Sequence, residues 1–262
     1  GTSNITIASS SITGVTNDGV DLTVGETGSG TSTTNLTFSN GAIAAGNHGV
    51  NVVSTASGSS NATVYAGIHD SKLTTGGTGA EMTGTTAGSG TLTQTLLVDP
   101  TTIHAGDYGI YVHSHIAGGT LTQNIDISDV TLTADEIGVL IDGEATGGSL
   151  TQSLSMSDVN ISGAVEYGFL LYGHTHHGGQ VTQSAAVDHL TIAPTNVPVY
   201  IGAYAETGGA ITQSVSIDHL VADYGTKYGV NIVADVYHGG TINQGVTLAH
   251  AHVSEASFIG IG

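Results

Sequence analysis

The sequence has no cysteine and no tryptophan, and Lys72 and Lys227 are its only basic residues apart from histidine. Without cysteine, neither a disulfide framework nor thiol chemistry is available. The formal charge of −19 at pH 7 opposes binding to nucleic acid and to anionic membranes, which are bound mainly through Lys and Arg. No apolar run approaches the ~20 residues that a membrane span needs. We therefore expect no nucleic-acid partner and no membrane span.

Bulky side chains are also scarce, whereas glycine is abundant. Aromatic residues make up 5% of the 262 residues and charged residues 9%, against 40 glycines. A chain of this length can bury a large core, but a spherical core normally uses more bulky residues than this one has. This composition is therefore unusual for a protein with a spherical core.

A repeat of 29 to 31 residues runs through the chain. Its first landmark is a glycine followed by an apolar-x-apolar triplet, at Gly19, Gly49, Gly109, Gly138, Gly168 and Gly229, with weaker copies at Gly79, Pro198 and Phe258. A second landmark, in phase with the first, is an apolar pair five residues apart, as in Ile7/Ile12, Ile127/Leu132 and Leu248/Val253. Two independent landmarks in phase over the whole chain indicate nine structural repeats.

Within each repeat the apolar residues alternate with period two, which predicts short β-strands separated by Ser, Thr, Asn, Asp and Gly. About 30 residues in three short strands form one coil of a β-solenoid, and coils stack at ~4.8 Å. We therefore predict an all-β fold: one right-handed parallel β-helix over residues 1–262, with about nine coils and no capping helix. The rod would be about 43 Å long, and its winding follows the handedness of parallel crossovers.

One column of polar residues alternates in phase with the apolar residues, so its side chains should also point inward. Its members are Gln94, Gln123, Gln152, Gln183, Gln213 and Gln244. A single buried amide would be unfavourable, but stacked amides can donate to one another from coil to coil, as in steric-zipper ladders. We therefore predict a structural glutamine ladder.

A second column occupies the bend after the first strand: Asn40, Asp70, Pro100, Asp129, Asp158, His189, His219 and His250. Asn and Asp are tolerated in the left-handed backbone region, which such a bend can require. Stacked carboxylates could also bind Ca²⁺, although the nonapeptide of calcium-binding rolls is absent.

These coils resemble the right-handed parallel β-helices of the pectate-lyase-like superfamily, and especially the repeat regions of bacterial secreted and autotransporter-type surface proteins. Coil size and the richness in Gly, Ser, Thr, Asn and Val carry the resemblance, which implies an extracellular or cell-surface location. It implies no catalytic site, because lyases of this fold typically use Arg or Lys as the base, and this chain has no Arg and two isolated lysines. We expect no enzyme activity; a polysaccharide lyase or hydrolase is the remaining alternative.

Histidine is unusually frequent, with 13 residues. Stacking the repeats places His113 and His115 over Asp142 and Glu144, and those two over Tyr172 and His174. His115, Glu144 and His174 would then lie ~4.8 Å apart in one outward column, where they could bind Zn²⁺ or Cu²⁺ with His113 and Asp142 nearby. His189, His219 and His250, with Asp188 and Asp218, form a second such group. Surface histidines without a ligand are the alternative in both places.

Two outward columns suggest contact surfaces. On the third strand, Tyr111, Leu140, Leu170 and Tyr200 follow one another, and such a column could pack against a second rod or stack on carbohydrate. On the first strand, Thr93, Thr122, Thr151, Thr182 and Thr212 resemble the threonine arrays of solenoid ice-binding proteins, although the neighbouring column is irregular.

The terminal coils carry apolar residues without an evident cap. Ile5 and Ile7 lie at one end and Ile259 and Ile261 at the other, and open coils expose strand edges and core. We therefore expect an extracellular structural protein whose copies associate head to tail in a filament or matrix fibre. The alternative is a fragment of a large adhesin or autotransporter passenger that binds host or carbohydrate surfaces.

Overall fold

The computed structural model describes residues 1–164, 166–193, 195–223, 227–254 and 260–261, the last pair by backbone only. All regular secondary structure within these residues is β-strand. The same residues form no helix that is long and apolar enough to cross a membrane. The strands are β1 Thr2–Ala8, β2 Ser11–Val15, β3 Val20–Glu26, β4 Thr31–Ser39, β5 Ala42–Ala45, β6 Val50–Ala56, β7 Asn61–Thr75, β8 Ala80–Thr86, β9 Thr91–Ala105, β10 Tyr108–Ile116, β11 Thr120–Ser128, β12 Val130–Ala134, β13 Ile137–Ala145, β14 Ser149–Ser162, β15 Tyr167–Thr175, β16 Gln180–Ile192, β17 Val197–Glu206, β18 Ala210–Asp223, β19 Val230–Tyr237, β20 Thr241–Ala249, β21 His252–Ser254 and β22 Gly260–Ile261.

The strands form two parallel sheets that follow the chain from coil to coil. The first sheet runs β1-β4-β7-β9-β11-β14-β16-β18-β20, and β2, β5, β12 and β21 join it beside this path. The second runs β3-β6-β8-β10-β13-β15-β17-β19-β22. Each strand pairs with the strand about one repeat away, as where Gln123 lies opposite Gln152. The predicted all-β solenoid with coils of about 30 residues is confirmed.

The bend between the first two strands of a coil has the expected left-handed backbone, but in several coils it does not separate two strands. Its residues adopt left-handed φ angles of 45° to 54°, at Ser9, Asn40, Asp70, Asp129, Asp158, His189, His219 and His250. In five coils the strand continues through this slot, giving the long strands β7, β9, β14, β16 and β18. Those coils therefore contain two strands rather than the predicted three. Pro100 lies within β9, and its ring holds φ negative.

The core lies between the two sheets, because alternate side chains of each strand point inward. In β13, for example, Val139 and Ile141 are buried while Leu140 between them is half-buried. Coil after coil supplies Ile, Val and Leu to this narrow interior, with Phe38 and Phe169 the largest fully buried side chains. The small cross-section explains how a chain with so few aromatic residues can still fill a core.

The terminal coils are less covered. Ile5 and Ile7, expected at an axial contact, are partly buried against the core. At the other end the backbone of Ile261 pairs with Ile232 of β19. Ile259, also expected at that contact, lies outside the described residues, as does Phe258 of the last repeat.

Candidate functional sites on the two sheets

The glutamine column forms a continuous chain of hydrogen bonds inside the rod. Each Nε2 donates to Oε1 of the amide one coil earlier, over 2.7 Å from Gln123 to Gln94, 2.7 Å from Gln152 to Gln123 and 2.7 Å from Gln183 to Gln152. Gln213 and Gln244 continue it at 2.8 and 2.5 Å. All except Gln244 are buried. The arrangement satisfies buried polar groups and offers no surface to a ligand.

A column of small residues on the second sheet faces this ladder: Ser54, Gly84, Ser114, Gly143, Gly173 and Ala203. A Cβ added to Gly143 would lie 2.6 Å from Oε1 of Gln152, so the amides need this space. Ser114 and Ser54 also accept hydrogen bonds from Gln152 and Gln94, at 3.1 and 2.6 Å. This column was not predicted from the sequence, although small residues at a fixed repeat position were a usable signal.

The outward aliphatic and aromatic column of the second sheet has the predicted register. Tyr111 pairs with Leu140, Leu140 with Leu170, and Leu170 with Tyr200, and all four are half-buried. Burial raises the pKa of Tyr111 to about 12, and nearby negative charges act in the same direction. These four residues, the lateral patch, form one strip along the rod.

The predicted histidine–carboxylate register is also present. His113 Nδ1 lies 3.0 Å from Oδ2 of Asp142, and His115 Nδ1 lies 3.2 Å from Oε2 of Glu144. The hydrogen bond to Asp142 raises the pKa of His113, burial opposes that shift, and the charges of Asp142, Glu144 and Glu81 add to it. These are therefore two parallel pairs, each linking adjacent coils.

The group of metal-ligating side chains that the second sheet brings together differs from the predicted one. Glu144, His174 and His176 each offer a ligand atom within 4.8 Å of the other two, whereas His115 contacts Glu144 alone in the group that was predicted. The imidazole rings of His174 and His176 are 3.9 Å apart. Burial lowers the pKa of His174, and the charge of His176 acts in the same direction. His176 was not part of the group predicted from the sequence.

The bend histidines form a stacked column on the surface. Their ring centroids are 4.5 Å apart between His189 and His219 and 4.8 Å apart between His219 and His250, with nearly parallel planes. Nδ1 of His250 lies 2.7 Å from Asp218, and this hydrogen bond lowers the pKa of that carboxyl. The predicted second group is thus assembled, but on an exposed edge.

One further histidine, not singled out from the sequence, joins three coils. Nδ1 of His48 lies 2.8 Å from Asp18 in the coil before it, and Nε2 lies 3.1 Å from Glu81 in the coil after it. Both ring nitrogens are therefore engaged by carboxylates, and the imidazole acts as a bridge. Spacings of 30 and 33 residues along a repeat of about 30 were the available signal.

No family model, no curated protein and no solved structure matches this chain. The resemblance to secreted and autotransporter-type β-helices therefore stays a prediction.

Proposed function

We propose that this protein is an extracellular structural β-solenoid whose copies stack end to end to form filaments. The proposal rests on one observation: a column of side chains that is buried in the core becomes exposed at one end of the rod. Ile217 is fully buried. Leu248 pairs with Ile217 and occupies the same position one coil later, yet it is 43% exposed. A further coil placed on this face would bury Leu248 as Leu248 buries Ile217.

Exposed apolar surface is concentrated in the same region. Among the described residues, the large hydrophobic side chains that are exposed are Val15, Val221, Tyr228, Val236, Tyr237 and Leu248, mostly in the last two coils. At the opposite end, Ile5, Ile7 and Ile12 are only partly buried. Surfaces of this kind mark interaction sites, and the two ends offer each other parallel strands at the same spacing.

Such a contact joins two different surfaces, so it does not close and gives a linear polymer. The charge of −19 per copy opposes association, and salt should weaken that repulsion. The extracellular setting is supported by the resemblance described above and by the scarcity of Lys and Arg, which removes most trypsin-type cleavage sites.

The test compares two lysine substitutions of nearly equal exposure. Leu248→Lys places a charge on the end face, whereas Val221→Lys places one on the side of the rod, where the valine is 41% exposed. Light scattering and negative-stain microscopy at low and high salt should show filaments for the parent chain and for Val221→Lys, and monomers for Leu248→Lys.

A parent chain that stays monomeric at high concentration and high salt would overturn the filament proposal. The same holds if Leu248→Lys assembles as well as Val221→Lys. Circular dichroism of both variants must match the parent chain, so that loss of assembly is not loss of the fold.

The lateral patch favours a second candidate function, a surface-exposed adhesin or autotransporter passenger segment. Tyr111 and Tyr200 bracket Leu140 and Leu170 on consecutive coils, and tyrosines on a flat sheet can stack on sugar rings. Monomeric protein that binds a glycan array, with binding lost in Tyr111→Ala, would support this candidate in place of the filament.

A further inference from the structure

We propose that Glu144, His174 and His176 form a binding site for a divalent transition-metal ion of the zinc class. The site lies on the outer face of the second sheet, away from the rod ends. It does not depend on the filament proposal.

The solenoid itself brings the three side chains together. Glu144 of β13 pairs directly with His174 of β15 across one coil step, so their side chains project from the same face. His176 follows two residues after His174, and alternation along an extended chain returns it to that face. The ligand atoms lie within 4.8 Å of one another. Around a tetrahedral ion, ligand atoms are about 3.4 Å apart. The ligand atoms would therefore have to move closer together, and side-chain rotation can supply that movement.

One ring nitrogen of the group has no partner. Nε2 of His174 is buried and has no hydrogen bond in the part of the chain that the structure describes. A buried polar atom without a partner is unfavourable, and a neutral imidazole nitrogen in this state is a metal ligand by its chemistry. An ion at this point would satisfy the atom.

A carboxylate on the following coil holds the second imidazole. Nδ1 of His176 is in close contact with Oε1 of Glu206, and the hydroxyl of Tyr204 donates to the other oxygen of Glu206 over 3.2 Å. Metal-ligating histidines commonly donate their second nitrogen to a carboxylate, which fixes the tautomer and the ring orientation. With Nδ1 engaged by Glu206, Nε2 of His176 is the nitrogen left for an ion.

The donor set defines the class of ion. Two imidazoles and one carboxylate suit Zn²⁺, Cu²⁺ and Ni²⁺, whereas Ca²⁺ and Mg²⁺ prefer sets made of oxygen atoms. Three protein ligands leave a coordination position for water or for a small exogenous ligand. The bend groups contain similar residues, but all their histidines are exposed.

The experiment is a calorimetric titration of the full chain, stripped with EDTA, with Zn²⁺ near neutral pH. We expect one site that weakens by more than about 100-fold in His174→Ala and in His176→Ala, and by about 10- to 100-fold in Glu206→Gln, which removes only the orienting charge. His113→Ala is the matched control, because His113 lies on the same face but pairs with Asp142, outside the group. Its affinity should equal that of the parent chain.

A second readout locates the ion without relying on affinity. Imidazole nitrogen NMR spectra should show Zn²⁺ shifting the signals of His174 and His176 before those of the bend histidines. The proposal is overturned if the parent chain takes up no Zn²⁺, or if uptake is unchanged in both His174→Ala and His176→Ala. It is also overturned if His115→Ala removes the site, because the ion would then be held by the column predicted from the sequence.

Discussion

An inward amide is tolerated in this rod only where the coils on both sides supply partners for it. Gln152 donates to Gln123 and accepts from Gln183, each over 2.7 Å. At the start of the ladder, where Val64 occupies the slot before Gln94, Nε2 of Gln94 donates instead to Ser54 and to the carbonyl of Thr83. Parity and repeat phase alone predicted the amide partners. The serine partner was not predicted, because it lies on the other sheet and the repeat phase does not show which positions of the two sheets face each other.

Replacing Gln152 by leucine should therefore destabilise the protein by about 1–3 kcal/mol, because the amides of Gln123 and Gln183 each lose a buried partner. Chemical denaturation followed by far-ultraviolet circular dichroism measures the change. Gln244→Leu is the control, since Gln244 is only partly buried and ends the ladder among the described residues; it should cost less. Equal stability of Gln152→Leu and the parent chain would contradict a ladder that stabilises the rod.

At the scale of the strand, the repeat predicted pairing register far better than it predicted where strands end. The pairs His113–Asp142, Glu144–His174 and Leu170–Tyr200 lie where the repeat phase puts them, because parallel coils of nearly constant length have a single register. Strand ends depend instead on backbone angles. A left-handed residue such as Asp70 bends the chain without ending β7, and His176, one residue past β15, stays beside His174. The group predicted from the sequence did not include that histidine, which lies just beyond the paired positions of the strand.

The close packing of the two sheets predicts that adding a single methyl group at a glycine of the small column strongly destabilises the protein. In Gly143→Ala the new Cβ would lie 2.6 Å from Oε1 of Gln152 and 2.6 Å from Cδ2 of Leu150. Overpacking of this kind costs about 1–3 kcal/mol, measured as a shift of the denaturation midpoint. Gly245→Ala is the matched control, because a Cβ added there would have no other atom within 4 Å. If the two variants are equally stable, the small column is not needed to accommodate the ladder.

At the scale of the whole molecule, each coil contacts mainly its two neighbours, so stability is close to a sum of coil and interface terms. Central coils have a neighbour on both sides and bury nearly all of their inward residues, such as Ile127 and Leu150. In β20 the inward Ile242 and Val246 are only partly buried. Local opening should therefore begin at the ends of the rod.

Hydrogen exchange measured by mass spectrometry can use this difference in stability between terminal and central coils to test assembly. At low salt, where charge repulsion keeps copies apart, amides of β1 and β20 should exchange faster than those of β11 and β14, because only one neighbouring coil protects them. At high salt the terminal strands should become protected while the central strands stay unchanged, because stacking supplies the missing neighbour. Leu248→Lys should retain the low-salt gradient at both salt concentrations. Protection that rises equally in all coils would mean that salt stabilises the fold generally, and the ends would then have no special part in association.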